Sequence, residues 1–533
     1  MVARVRLAGL LVLPALLVGA PAGLLAQAGP VAAGSAGSPV AWVMPSTVRI
    51  PSWSEPGHRT ATSIEALRGE TESFQVAVRA VGGSLSGVSL TVSPLVGPGG
   101  SRIGGRSIAL FREQYVRVPH HSPAWSGRPI AWPSFPDALV PFIDPVTGRR
   151  PDRGARVPAA PFEVVAGHVQ PVWVDVTVPR SATPGRYTGT WTVTSGHGSR
   201  HGTVALQVRD ATLPATPTAG SRFGIRQIGN RRPAVEDLLL RYRVQPNPVE
   251  AAREPALGLR SVDLRLSSGA DALNCDMTGP PSVATVRAAM ARHPESTELY
   301  DYTADEVTHC PGVVEQLLNW ARVLHAAGVD QMVTVVPRPE LMDDGTGRPV
   351  VDIWVMTPWQ LRLLDPAVRQ QIEAAGGRVW SYQALVQGRR TPSWELDFPV
   401  TNYRVLGGFL NASQDVDGLL YWAVDQPQRD PWRDPTYAYP TSCCYPGDGT
   451  LVYPGRPAGV VGVVPSIRLA MVRDGMDDYD YVSMLRARGQ AAQVDALLAP
   501  AATSWWDWTS DGRVLADVRH RLADLLEAPV PAG

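Results

Sequence analysis

The hydrophobic period of the chain changes once, near residue 213, and this change restricts the available folds more than any other feature. Before it, segments such as SFQVAVRAV (73–81), VSLTVSPL (88–95), PVWVDVTVP (171–179), YTGTWTV (187–193) and GTVALQV (202–208) alternate apolar and polar residues between glycines and prolines. Alternation with turn punctuation predicts half-buried antiparallel strands, and a series of them predicts a β-sandwich. After LPATPTAGS (213–221), strand patterns at 221–227, 258–266, 297–303, 331–337, 352–357, 378–384 and 418–424 alternate with helical patterns at 235–243, 283–293, 313–328 and 366–377. Regular strand–helix alternation without a G-x-G-x-x-G turn predicts a (β/α)8 barrel of the TIM type rather than a doubly wound nucleotide fold.

The expected organisation is therefore multidomain, all-β followed by α/β. It comprises a signal peptide (1–28), a flexible linker (29–40), an antiparallel β-sandwich (41–211), a second linker (212–221), the (β/α)8 barrel (222–490) and a C-terminal helical extension (491–533). The signal-peptide reading rests on Arg4 and Arg6, an apolar run over 7–20, and Ala26-Gln27-Ala28, a small-x-small cleavage pattern. It predicts export, with cleavage near Ala28 and no membrane span afterwards. The stretch 117–160, rich in proline, histidine and tryptophan, reads as long loops that could form a lip over a neighbouring site.

Composition excludes several chemistries. The 49 basic residues are all arginine, so Schiff-base, pyridoxal-phosphate and G-x-x-x-x-G-K-[ST] phosphate-loop mechanisms lack their amine. They are balanced by 49 acidic residues, which argues against nucleic-acid partners and favours an uncharged glycan over a polyanionic one. No H-E-x-x-H or zinc-type cysteine spacing is present, so neither a metal nor a cofactor is expected. In an exported chain Cys275, Cys310, Cys443 and Cys444 are disulfide candidates, with three possible pairings; a Cys275–Cys310 bridge would brace the acidic motif beside it.

That motif is Tyr300-Asp301-Tyr302-Thr303-Ala304-Asp305-Glu306, a strand pattern that ends in two carboxylates. A barrel carries its function at the C-terminal ends of its strands. Glycoside hydrolysis uses paired carboxyl groups, one to protonate the leaving oxygen and another to stabilise a cationic sugar centre. An Asp-Glu dipeptide alone specifies little, and neighbours on a regular strand face opposite ways, so both reach one pocket only if the chain is already turning. Aromatic residues at other strand ends strengthen the reading, because the chain holds 16 tryptophans against 8 phenylalanines. Trp354, Trp359, Trp380, Tyr382, Tyr421 and Trp422 sit at strand ends and are candidates to stack on sugar rings, and Asp425, Asp448 and Tyr453 to bind hydroxyls. On the helical pattern at 465–489, Arg468, Arg473, Asp474, Asp477 and Asp478 are spaced for mutual ion pairs.

Taken with RGETESFQVAVRA (68–80), LLLRYRVQPNPV (238–249), GLLYWAV (418–424), GDGTLVYPG (447–455) and PSIRLAMVRDGMDDYDYVSML (465–485), these features make the chain resemble glycoside hydrolase family 123, including the group that carries the domain of unknown function 4091. The resemblance implies a sandwich followed by a barrel and a retaining β-N-acetylgalactosaminidase that uses the substrate's own acetamido group as nucleophile. It assigns Glu306 as general acid and base, and Asp305 as the group that orients and stabilises the acetamido nitrogen. The alternatives are a glycosidase of the same fold with another sugar specificity, and a non-catalytic carbohydrate-binding or envelope protein. Oligomeric state, linkage and exo or endo action are not legible in the sequence.

Overall fold

The computed structural model describes residues 37–529 except 228–231, 251, 295–296, 386–387, 427 and 441. The expected signal peptide lies outside the described residues. From Ser38, inside the expected linker, the chain is already strand.

Two sheets form the N-terminal β-rich part. One runs Ser38–Pro45, Thr71–Val81, Val169–Thr177, Ile108–Arg117 and Ser134–Pro141 in spatial order; the other is built on Ala61–Arg68, Gly198–Thr212, Gly185–Ser195, Leu85–Val92 and Phe162–Val164. Alternating residues such as Phe74, Val76, Val78, Val174, Trp191 and Leu206 fill the space between them. The sandwich is not wholly antiparallel, because Ala61–Arg68 pairs parallel with Gly198–Thr212. The 117–160 stretch is not all loop either. Ser134–Pro141 is a buried strand, disguised in sequence by its prolines and by Asp137, residues that argue against a strand until a distant cation neutralises the carboxylate.

The second part is an eight-stranded parallel barrel, nearly closed. Its strands in chain order are Gly220–Gly224, Pro246–Asn247, Ser261–Asp263, Glu298–Ala304, Asp330–Thr334, Ile353–Met356, Arg378–Gln383 and Gly418–Tyr421, and each neighbours the next except between the second and third. Side chains bridge that gap: Gln245 Oε1 accepts from the backbone N–H of Arg260 at 2.7 Å, and Asn247 Nδ2 donates to Asp263 at 3.4 Å. The very short second strand was not legible as a strand, since one of its two residues is proline.

Period two divides the barrel strands cleanly. Tyr300, Met332, Ile353, Val355, Trp380, Tyr382 and Leu420 point inward and pack together. The residues between them, including Val333, Trp354, Val379, Leu419 and Tyr421, point outward into the core shared with the helices. Val313–Ala327 and Ile467–Arg486 are the longest helices of the barrel region, and Gly512–Glu527 packs against the second of these. No helix among the described residues is long and apolar enough to cross a membrane.

The helix Ile467–Arg486 is buried on nearly every side and is the junction between the two parts. Its charges pair outward rather than with one another as the spacing suggests. Arg468 donates to Asp137 of the sandwich at 2.9 and 3.0 Å, Arg473 reaches Ser73 at 2.8 Å and Asp175 at 3.3 Å, and Asp478 accepts from Arg404 at 2.6 Å and Arg519 at 2.9 Å. Only the Arg473–Asp474 pair lies within the helix. Burial pulls the Arg468 guanidinium toward neutrality, but Asp137, Tyr403 and Tyr453 outweigh it and hold its pKa well above the usual arginine value.

Candidate active site

The C-terminal ends of the barrel strands open into a cleft of about 950 Å³. Asp305 and Glu306 both line it, directly after the fourth strand. The difficulty of adjacent side chains is resolved by the backbone: Glu306 sits at φ 53°, ψ 34°, the left-handed region, so the chain reverses its twist right after Asp305. A non-glycine residue there costs about 1–2 kcal/mol, so its neighbours must enforce it. Several do. The Asp305 N–H donates to Ala270 O at 3.1 Å, Ser268 N to Thr303 O at 2.8 Å, and Val307 is fully buried. Cys275 and Cys310 are joined, tying the loop after the third strand to the loop after the fourth.

Asp305 is held by two hydroxyls from the upper inward layer of the barrel. Tyr302 and Thr334 each donate to its Oδ1 at 2.7 Å. Such donors fix the direction of the carboxyl group. Glu306 accepts a hydrogen bond from the Tyr382 hydroxyl of the seventh strand. Burial pushes its pKa above the usual glutamate value; the Tyr382 donor opposes this, and the Asp305 charge adds to it. One carboxyl group is thus fixed by hydroxyl donors while its neighbour is biased toward holding a proton. Environments that differ in this way separate a proton donor from a charge stabiliser.

The opposing Tyr382 contribution makes a testable pH prediction. Tyr382→Phe removes a donor that favours ionised Glu306, so the Glu306 pKa rises further. If protonated Glu306 is the acid, the alkaline limb of the kcat/KM profile shifts to higher pH in the variant. A limb that stays in place, or moves down, contradicts Glu306 as the titrating acid.

The remaining expected residues divide. Tyr382, Trp422 and Asp448 line the cleft. Asp448 is buried beneath Trp422, accepting from its Nε1 at 3.2 Å, from the Tyr421 hydroxyl at 3.1 Å and from Leu385 N at 3.2 Å; burial nevertheless raises its pKa. The glycines of the Gly447-Asp448-Gly449 motif make this possible. Both have positive φ, and a Cβ at Gly449 would lie 2.4 Å from the Trp422 ring.

Five expected residues do not line the cleft. Trp354 and Tyr421 have outward parity and pack against the helical layer, Tyr421 reaching the site only through Asp448. Trp380 points inward but below the site, against Tyr300 and beneath Tyr382 in the barrel core. Asp425 instead accepts the N–H of Arg226 at 2.7 Å, shaping the loop after the first strand. Tyr453 donates to Asp137 at 2.6 Å in the junction with the sandwich.

Residues that sequence reasoning missed complete the cleft. Tyr302 was legible in principle, because it shares the inward parity of Tyr300. Tyr437 and Tyr439 come from a hairpin, Thr436–Tyr439 with Ser442–Pro446, on which Cys443 and Cys444 are bonded to each other. Arg222, Arg226, Arg232, Arg265 and Asp271 also line the cleft, as does Trp359, which the sequence already places at a strand end. The joined sulfurs of Cys275 and Cys310 lie with His309 Nε2 within 4.8 Å of one another, 3.7 Å separating His309 from Cys275 Sγ.

Comparison with known proteins agrees with this arrangement. The sequence model of the glycoside hydrolase 123 catalytic domain matches residues 300–485, which include the acidic pair and the junction helix, and that of the glycoside hydrolase 123 N-terminal domain matches 52–195. The chain belongs to glycoside hydrolase family 123. The family 123 glycoside hydrolase from Clostridium perfringens, whose structure is described in terms of glycolipid glycan hydrolysis, superimposes with a TM-score of 0.66 at 13% identity, covering 92% of this chain and 98% of its own. That likeness extends the shared fold over both parts of this family 123 member. The apo β-glucuronidase 3 of Bacteroides uniformis matches at 10% identity over 77% of this chain and 51% of its own, with a TM-score of only 0.26. No curated protein matches significantly.

Proposed function

We propose that this family 123 protein is an exported, retaining β-N-acetylhexosaminidase, acting foremost on N-acetylgalactosamine, in which the substrate's acetamido group is the nucleophile. The observation that carries this reading is the pair itself: adjacent carboxyl groups in one cleft, Asp305 fixed by two hydroxyls and Glu306 with its pKa raised. Galactosamine as the preferred sugar rests on the family resemblance, and export on the N-terminal pattern together with the Cys275–Cys310 bridge.

In the first step protonated Glu306 gives its proton to the glycosidic oxygen as the bond to C1 breaks. The acetamido carbonyl oxygen bonds to C1 from the other face, forming an oxazolinium ring. Asp305 accepts a hydrogen bond from the ring N–H and disperses its positive charge. In the second step ionised Glu306 takes a proton from water as the water oxygen bonds to C1 and the ring opens, which restores the acetamide, the protonated Glu306 and the original anomeric configuration. Asp448 is poorly disposed to serve as an enzyme nucleophile, since its oxygens already accept from Trp422, Tyr421 and Leu385. The aromatic side chains of Trp422, Tyr437 and Trp359 offer apolar faces for sugar C–H groups.

Chromogenic β-N-acetylgalactosaminide, β-N-acetylglucosaminide and β-galactoside test the reading together. The galactosaminide is expected to turn over fastest and the galactoside, which lacks the amide, not at all. Comparable turnover of the galactoside removes substrate assistance, and a faster glucosaminide reassigns the sugar.

A further inference from the structure

The charge of the chain sums to zero, but one cleft gathers four arginines beside Asp271, Asp305, Glu306 and Asp448. Arg222, Arg226, Arg232 and Arg265 all line it, contributed by the first strand, the loop and helix start that follow it, and the loop after the third strand. Arg222 is committed, since it donates to Asp263 at 3.2 Å and lies 4.6 Å from the centre of the Tyr302 ring. The other three form no ion pair with a carboxylate among the described residues. This contrasts with the arginines of the junction helix, where Arg468, Arg473 and Arg486 each meet an acidic side chain.

Each of the three is positioned. Arg226 lies over the Trp422 ring, 5.5 Å from its centre, and that ring in turn packs 5.1 Å from Tyr437. Arg232 opens the helix Arg232–Arg241 and is half-buried where it lines the cleft. Arg265 is held at φ 58°, a left-handed conformation that an arginine adopts only when its surroundings impose it. A neutral hexosamine has no use for three such cations. The guanidinium fork suits a two- or three-oxygen anion, and Arg226 and Arg265 are exposed within the cleft, where a ligand can reach them.

We propose that this arginine wall is a subsite for an oxyanion on the glycan, either a uronic-acid carboxylate or a sulfate ester. The neutral net charge of the chain does not bear on it, because net charge is a sum over the whole surface whereas recognition follows the local field. The proposal deepens the glycosidase reading, on which the identity of the glycan rests, but binding at the wall is measurable without turnover.

The test titrates the Glu306→Gln protein calorimetrically with three oligosaccharides of equal length that contain N-acetylgalactosamine: one neutral, one bearing a sulfate ester, and one carrying an unsulfated uronic acid. At least one anionic ligand is expected to bind about tenfold or more tightly than the neutral one at low salt, the order of gain for one charge-assisted pair. That advantage shrinks as salt screens the charges. Arg226→Gln and Arg265→Gln, each checked for an unchanged melting temperature, both reduce the anionic-to-neutral affinity ratio, and the two anionic ligands separate carboxylate from sulfate. Equal affinity for neutral and anionic ligands overturns the subsite, as does an advantage that survives in both arginine variants. Hydrolysis by the unsubstituted enzyme distinguishes the two readings. Cleavage of the neutral ligand with no anionic preference in binding leaves the glycosidase and removes the subsite; preferential binding with no cleavage of any ligand does the reverse.

Discussion

Glu306→Gln is expected to lower kcat by about 100- to 10,000-fold on a glycoside with an alkoxide leaving group, the usual contribution of a positioned proton donor. Glutamine keeps the shape and can still hydrogen bond to the Tyr382 hydroxyl, so the fold and the left-handed turn are preserved while the transferable proton is lost. In kcat/KM, which reports only the first step, the loss should be much smaller on an aryl glycoside with an acidic leaving group, which departs without protonation; kcat stays low, because Glu306 is also the base of the second step. Comparing a disaccharide with a dinitrophenyl glycoside therefore separates loss of the acid from loss of binding. Asp305→Asn should behave differently, since it removes the charge that stabilises the cationic ring and so affects both substrates alike. Wild-type turnover of the disaccharide by the Glu306→Gln protein would remove Glu306 from the chemistry.

The second large effect concerns the junction rather than the cleft. Arg468→Met is expected to cost about 3–5 kcal/mol of stability, the range for breaking a buried ion pair by removing one partner. Asp137 has no exposure to water, and its carboxylate would keep only the Tyr453 hydroxyl and the weaker contact of Arg49 at 3.7 Å. The same guanidinium donates to Gly447 O at 2.7 Å and Thr450 O at 2.5 Å, the two ends of the turn that presents Asp448 to the cleft. Activity should consequently fall at temperatures where the variant is still folded. Denaturant unfolding measures the first effect and kcat/KM against temperature the second. The double variant Asp137→Asn with Arg468→Met should recover part of the loss, because it no longer buries an unpaired charge. A double variant less stable than Arg468→Met alone would contradict the pair as the cause.

How far the site could be read from the sequence depended on whether a residue's orientation follows from local periodicity. The fourth strand and its terminal Asp305-Glu306 were legible, because apolar alternation marks the strand and the carboxylates stand where it ends. The approach of Cys275 to Cys310 was anticipated as a brace for this motif, and the structure joins them. Trp354 and Tyr421 were misassigned although the information was present: they alternate with Ile353, Val355 and Leu420, so one parity faces the barrel interior and the other the helices. Trp380 has the correct parity at the wrong depth, one layer below Tyr382, and depth along a barrel axis depends on register with neighbouring strands. Tyr453 and the charges of the junction helix were misassigned for a different reason, since their partners Asp137, Asp175 and Arg404 lie far away in sequence.

The sequence by itself determined the order of sandwich and barrel, most of the strands, the acidic pair and the family resemblance, because these follow from patterns within a few residues of one another. Tertiary structure decided what the pair can do. The left-handed turn at Glu306, the hydroxyls of Tyr302, Thr334 and Tyr382, and the wall of Arg226, Arg232 and Arg265 all arise where separate strand ends converge. A balanced count of charges contains no information about that convergence, since electrostatic interaction depends on the distance between charges and on the water excluded between them.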